Sequence, residues 1–166
     1  WRRTEDPYAI LVSELLLQQT RIKAVLEKEY FENWMKRFPD IDSLAESEVE
    51  SILKAWEGLG YYRRARQMHR AAGVLLDRHD GVFPRDRDTV QALPGIGRYT
   101  AGAILSIAFD DRHPILEGNT LRLYSRLLAD RGDPRSAAGQ RRRWDFAAEI
   151  LPRKRVGEFN QALMEL

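Results

Sequence analysis

Three features of this sequence predict an all-α fold. Helix caps and stop signals recur along the whole chain, apolar residues return at three- and four-residue spacing, and no run of alternating β-branched residues marks a strand. Asp6 followed by Pro7 places a cap before a residue suited to a first turn, so a helix is expected over residues 8–19. A second is expected over 20–38, stopped by Pro39. Ser47, with Glu50 three residues on, reads as a capping box that opens a short helix to Trp56, closed by Gly58 and Gly60. Residues 61–78 form one long helix by the spacing of Ala65, Met68, Ala72 and Leu75. Further helices are expected over 86–93, 99–109, 119–129, 140–151 and from Val156 onward, with a glycine-rich turn before Tyr99 and a loop before Gly118.

Composition narrows the function. The chain has 166 residues, 43% hydrophobic and 31% charged, which is ordinary globular usage and disfavours intrinsic disorder. Its longest apolar stretch, residues 9–17, is interrupted at Ser13 and Glu14 and is too short for a membrane span. No charged and then apolar leader opens the sequence, so a cytoplasmic or nuclear place is expected rather than secretion, with no membrane partner. With no cysteine, disulfides, thiolate zinc sites and iron-sulfur ligation cannot arise within these residues.

The formal net charge is only +2, but its distribution is uneven. Residues 27–57 carry nine acids and four bases, whereas 61–79 carry Arg63, Arg64, Arg66, Arg70 and Arg78 against Asp77 alone. Arginine supplies 22 of the 27 bases. Its planar fork binds two phosphate oxygens at once, although a GC-rich genome gives the same enrichment. Arg63, Arg66 and Arg70 share one helix face, which is either a solvated surface or a phosphate-binding one.

Two local patterns carry candidate chemistry. Glu14 is surrounded by Leu11, Val12, Leu15, Leu16 and Leu17, so a helix would leave its carboxylate partly buried. Burial disfavours the charged form, so its pKa is expected to rise, as a general acid near neutral pH requires; a paired structural carboxylate is the alternative. Leu93-Pro94-Gly95-Ile96-Gly97-Arg98-Tyr99 lies between two helices. Its glycines suit either a plain helix-helix turn or a nest of backbone N–H groups that accepts a phosphate oxygen.

As a whole, Leu-Pro-Gly-Ile-Gly-Arg resembles the helix-hairpin-helix element of DNA-repair glycosylases. Ser13-Glu14-Leu15-Leu16-Leu17-Gln18-Gln19-Thr20 resembles the segment of MutY-type adenine DNA glycosylases whose glutamate protonates the excised adenine. The similarity extends to Trp1-Arg2-Arg3, to Trp56-Glu57-Gly58-Leu59-Gly60-Tyr61-Tyr62, and to Phe159-Asn160-Gln161-Ala162-Leu163-Met164-Glu165-Leu166.

That resemblance implies a two-lobed helix-hairpin-helix glycosylase fold. Residues 7–111 would form a six-helix barrel, and residues 1–6 with 112–166 a second lobe. It also implies a monofunctional, monomeric enzyme of base excision repair that hydrolyses the glycosidic bond of adenine mispaired with 8-oxoguanine or guanine in double-stranded DNA. Such an enzyme must flip the nucleotide out of the stack. Leu17, Gln18, Gln19, Thr20 and Tyr61 are the expected contacts or wedges at the lesion, Arg2 a further expected DNA contact, and Pro94, Gly95, Ile96, Gly97 and Arg98 the expected phosphate grip. For Tyr61 and Tyr62, ordinary helix-start packing is the alternative.

Tyr99 stands where endonuclease III-like enzymes carry the lysine that forms an imine and cuts the strand. Tyrosine cannot form that imine. Ile115-Leu116-Glu117-Gly118-Asn119-Thr120 aligns with the family's Asp-Gly-Asn loop, but with Glu117 in place of the aspartate that stabilises the cationic sugar. Glu117 is read either in that role or as a helix-capping acid, and Asn119 and Tyr99 as organisers of water and carboxylate. The family's four-iron-four-sulfur cluster would have its cysteines beyond Leu166, as would its domain for the oxidised guanine. A mismatch thymine glycosylase of the same superfamily and a non-catalytic DNA-binding relative are the rival functions.

Overall fold

Residues 4–20, 25 and 28–166 are described by the structure, a computed structural model. Among them every regular element is helical. In chain order these are α1 (Pro7–Leu17), α2 (Tyr30–Arg37), α3 (Ile41–Ala45), α4 (Val49–Ala55), α5 (Arg63–His79), α6 (Arg87–Ala92), α7 (Arg98–Phe109), α8 (Gly118–Leu127), α9 (Ala137–Glu149) and α10 (Val156–Glu165). No helix among the described residues is long and apolar enough to cross a membrane. The chain divides into two units, Trp1–Ile96 and Gly97–Leu166.

In the first unit α1 starts where Asp6 and Pro7 predict, with the Asp6 carboxylate accepting from the Tyr8 N–H at 3.0 Å. Its residues from Tyr8 to Leu16 are all buried, so this helix runs through the core. Trp34 meets Phe38 at 4.9 Å and Trp56 edge-on at 5.4 Å between ring centroids. The polar ends of this cluster are satisfied: the Trp34 Nε1–H donates to the Tyr8 hydroxyl, which donates to the Phe38 carbonyl. Such satisfaction is what allows tyrosine and tryptophan to lie deep in a core. The α5 residues Ala65, Met68, Ala72 and Leu75 are buried as their spacing predicts.

Two expectations are corrected here. A continuous helix over 20–38 does not form: Glu29 has a left-handed backbone (φ 49°), and α2 begins only at Tyr30. A tertiary tie accompanies the break, since the Tyr30 hydroxyl donates to the Glu57 carbonyl at 2.8 Å. The capping box also lies elsewhere. Ser47 donates to the Ser43 carbonyl at 2.6 Å instead of capping, and α4 starts at Val49 without a side-chain cap. The reciprocal pair is Asp40 with Ser43, which opens α3. The short helix α3 puts the Ser43 carbonyl within reach of Ser47, and this hydroxyl just past the helix end bonds backward to that carbonyl rather than forward.

The second unit packs Ala103, Ile115, Leu116, Tyr124, Ala147 and Leu163 into one core, with α10 against α7 and α8, and α9 against α8. Gly157 permits a close approach of α10 to α7, because a Cβ there would stand 2.5 Å from the Ser106 carbonyl oxygen and 2.9 Å from the Ile107 Cα. The Asp110 carboxylate caps α10 by accepting from the N–H groups of Arg155, Val156 and Gly157. Arg143, fully buried, pairs with Asp130 at 3.2 Å and donates to Ser125 Oγ, tying α9 to the end of α8.

Candidate active site

In the first unit the candidate residues cluster at the end of α1. Glu14 is 7% exposed, in the last full turn of a helix buried on all sides. The helix closes when the Gln18 N–H donates to the Glu14 carbonyl at 3.1 Å. Leu17, Gln18 and Thr20 are half-buried and Gln19 is exposed. Gln19 takes a left-handed conformation (φ 56°), as does Tyr61 (φ 46°). For residues with a Cβ this conformation costs about 1–2 kcal/mol, so surrounding contacts must hold both loops. Tyr61 is 64% exposed and Tyr62 39%. Both therefore stand on the surface, in contrast to ordinary helix-start packing.

The contacts that hold these loops come from Arg64. Its neighbours Arg63, Arg66 and Arg70 are exposed, but Arg64 is only 7% exposed. Its guanidinium donates to the carbonyls of Leu15 at 2.8 Å, Leu16 at 3.3 Å and Gln18, and to Thr20 Oγ1 at 3.2 Å. It also reaches the carbonyls of Leu59 and Gly60, each at 3.4 Å, and lies over the Trp56 and Tyr61 rings. Burial pushes its pKa below the ordinary guanidinium value, with Tyr61 acting in the opposite direction. Sequence reasoning placed Arg64 in a basic stripe. A signal was present: Arg64 continues, by three- and four-residue steps, the buried row Met68, Ala71 or Ala72, and Leu75.

The hairpin turn is held by the Ile96 N–H donating to the Leu93 carbonyl at 3.1 Å, with Gly95 at φ 81°. A Cβ on Gly95 would come within 2.7 Å of the Gln67 Cβ, so both the φ and the contact select glycine there. Pro94 and Gly95 are half-buried, Gly97 and Arg98 are exposed, and Ile96 is buried at 5%. The Ile96 side chain thus anchors the turn, leaving only its backbone for a contact. Gly97 caps α7 without a side-chain bond, and the Arg98 guanidinium stacks 3.9 Å from the Trp144 ring centroid.

In the second unit Glu117 is the N-cap of α8. Its Oε1 accepts from the N–H groups of Asn119 at 2.8 Å and Thr120 at 2.9 Å, while its own N–H donates to Thr120 Oγ1 at 2.8 Å. The neighbouring buried Tyr124 hydroxyl is pushed up to about 12, first by burial and then by the Glu117 charge. Asn119 is exposed. Its Nδ2 donates to the Met164 carbonyl at 3.4 Å and its Oδ1 accepts from Arg122. The Tyr99 hydroxyl, half-buried, donates to Met164 Sδ at 3.8 Å. Glu117, Asn119 and Tyr99 are thereby gathered about one helix start and Met164. Arg2 lies outside the described residues.

The chain contains no cysteine, and among the described residues no group of His, Asp and Glu could hold a metal ion. Residues 1–166 therefore supply none of the thiolates an iron-sulfur cluster needs.

Comparison with known proteins places these features in context. The model of the HhH-GPD superfamily of base excision DNA repair proteins matches residues 12–149. The adenine DNA glycosylase of Rattus norvegicus is 42% identical over 160 residues, covering 96% of this chain and 31% of that protein. The corresponding protein of Homo sapiens is 40% identical over 173 residues, covering 99% and 31%. That of Buchnera aphidicola subsp. Acyrthosiphon pisum is 36% identical over 166 residues, covering 100% and 47%. The chain thus spans less than half the length of these relatives. Among solved structures, a thermostable thymine-DNA glycosylase superposes with a TM-score of 0.86 at 27% identity, over 99% of this chain and 75% of that one. Endonuclease III in a non-covalent DNA complex shares the fold with a TM-score of 0.79 at 21% identity, over 95% and 72%.

Proposed function

Because this chain belongs to the HhH-GPD superfamily of base excision DNA repair proteins, we propose that it is a monofunctional DNA glycosylase. Its substrate in this reading is adenine mispaired with 8-oxoguanine or guanine in double-stranded DNA, met in the bacterial nucleoid or the nucleus. The observation that carries the reading is Glu14: a carboxylate 7% exposed in an apolar helix, in the chain's Ser-Glu-Leu-Leu-Leu-Gln-Gln-Thr run, directly before the loop with exposed Gln19.

In the proposed reaction Glu14 gives a proton to the extruded adenine. The bond from the sugar anomeric carbon to the base breaks, and its electron pair leaves with the protonated base. Glu117 stabilises the positive charge left on the sugar, and a water adds to the anomeric carbon, directly or through a sugar-carboxylate intermediate, giving up a proton. Asn119 and Tyr99 orient the water and the carboxylate. Gln18, Gln19, Thr20 and Tyr61 take the places of extruded and unstacked bases. The uncapped start of α7, behind Gly97 with Arg98 beside it, suits a phosphate oxygen. A hydroxyl at residue 99 supports base release without the imine chemistry that cuts the strand.

The test is single-turnover release of free base from duplexes with adenine opposite 8-oxoguanine, adenine opposite guanine, and thymine opposite guanine. Adenine release supports the proposal, and the first two duplexes rank the opposite base. The structural likeness to a thymine-DNA glycosylase favours a second reading, which thymine release would establish. Tight duplex binding with no release would instead leave a DNA-binding relative.

A further inference from the structure

We propose that Arg64 is a positioning residue for base extrusion, one guanidinium setting the backbone of residues 18–20 and 59–61 so that Gln19 and Tyr61 meet DNA as a single unit. This rests on the glycosylase reading above.

Two separate loops converge on this group. On one side it donates to the carbonyls of Leu15, Leu16 and Gln18 and to the Thr20 hydroxyl; on the other, to the carbonyls of Leu59 and Gly60. The first three lie at the C-terminal end of α1, where carbonyls lack intrahelical partners and the helix dipole is negative. Among the described residues no carboxylate pairs with Arg64, so a buried cation is compensated by backbone dipoles and by the Trp56 and Tyr61 rings.

The two left-handed residues tie this arrangement to the DNA-facing surface. Gln19 directly follows Gln18, and Tyr61 directly follows Gly60; in both cases the guanidinium holds the preceding carbonyl. Non-glycine residues leave that conformation readily, so neither loop keeps its shape unaided. The Trp56 Nε1–H adds a further bond to the Gly60 carbonyl at 2.9 Å, which secures the second loop on the same ring that Arg64 covers. A lysine cannot replace this pattern, because an ammonium is a point donor and cannot span carbonyls on opposite sides of a planar fork.

The experiment compares the protein with its R64K and R64A variants on a duplex carrying 2-aminopurine beside the target adenine. It reads the extrusion signal, single-turnover release, duplex Kd and melting temperature. R64K is expected to melt within a few degrees of the unmodified protein and to bind duplex within about threefold. Its extrusion signal should be lost and release should fall about a hundredfold, the scale of a misplacement near 1 Å. Release by R64A should recover partly with added guanidinium ion but not with ammonium ion. A release rate for R64K within about threefold of the unmodified protein overturns the proposal, as does a fall that merely follows lost affinity or melting. If R64A does not fold, R64K decides alone. An unmodified protein that extrudes the base but releases none sinks the glycosylase reading, while its contrast with R64K still judges Arg64. One that does neither overturns both.

Discussion

Glu14 belongs to a helix whose residues from Tyr8 to Leu16 are all buried, whereas Glu117 stands at the head of a helix and holds its first turn through two backbone N–H groups. One carboxylate lies within the core, and the other meets the hydrogen-bonding needs of the main chain. Asp110 repeats the second arrangement at α10. A change at Glu14 that keeps its volume and a hydrogen-bonding oxygen should separate chemistry from stability. Changes at Glu117 should move both, because the same carboxylate caps α8 and, in the proposed reaction, faces the sugar.

The largest expected effect tests the first half of that contrast. E14Q keeps shape and volume but removes the acid, so base release should fall by about 10²–10⁴-fold, the usual range for a general acid. Melting temperature and duplex affinity should stay close to those of the unmodified protein in thermal denaturation and binding titrations. A large loss of stability would show that Glu14 is a structural carboxylate after all.

At Glu117 the two properties should move together. E117A is expected to lower release by about a hundredfold and to remove about 1 kcal/mol of stability with the cap. E117D offers the sharper comparison. Aspartate caps at least as well, and shortening the side chain by one methylene shifts the carboxylate by about the distance that costs a hundredfold in rate. Release should therefore rise at nearly constant melting temperature if Glu117 is a displaced form of the family's aspartate.

T120V isolates the cap from the carboxylate. It removes the bond from the Glu117 N–H to the Thr120 hydroxyl at 2.8 Å, so it should cost about 1 kcal/mol in thermal denaturation. Its release rate should fall less than that of E117A.

The smallest effect concerns Asp110. Burial pushes its carboxyl upward, but the N–H groups of Gly157, Arg155 and Val156 together outweigh that and hold it below its ordinary value. A group with a depressed folded-state pKa adds stability that is complete above the unfolded pKa and fades as pH falls through the folded value. D110N should therefore be less stable at neutral pH, and its stability should decline less on acidification below about pH 4. Equal slopes for both proteins in acid titrations of melting temperature would show that the α10 cap contributes nothing through its charge.

Much of this organisation was legible in the sequence where the cause is local. Asp6-Pro7 marked the start of α1, the spacing of Ala65, Met68, Ala72 and Leu75 marked the buried face of α5, and the apolar run around Glu14 marked a buried carboxylate. The capping box was misplaced because Ser47-Glu50 and Asp40-Ser43 both offer cap-forming side chains, and only the packed chain shows which carbonyl captures Ser47. Arg64 shares its charge with Arg63, Arg66 and Arg70 but its helical phase with the buried row of α5. Its phase with Met68 and Leu75 was the better guide to burial.

The all-helical character, the glycine-dependent hairpin turn and the burial of the run around Glu14 are already written in the order of the residues. Each follows from residues within a few positions of one another, through caps, permitted φ angles and apolar spacing. Packing places Arg64 inside, turns Ile96 inward and keeps Gln19 and Tyr61 in left-handed backbones. Arg64 meets the Leu15 carbonyl across 49 positions of the chain, and a guanidinium can be buried only where distant carbonyls have been brought to meet it.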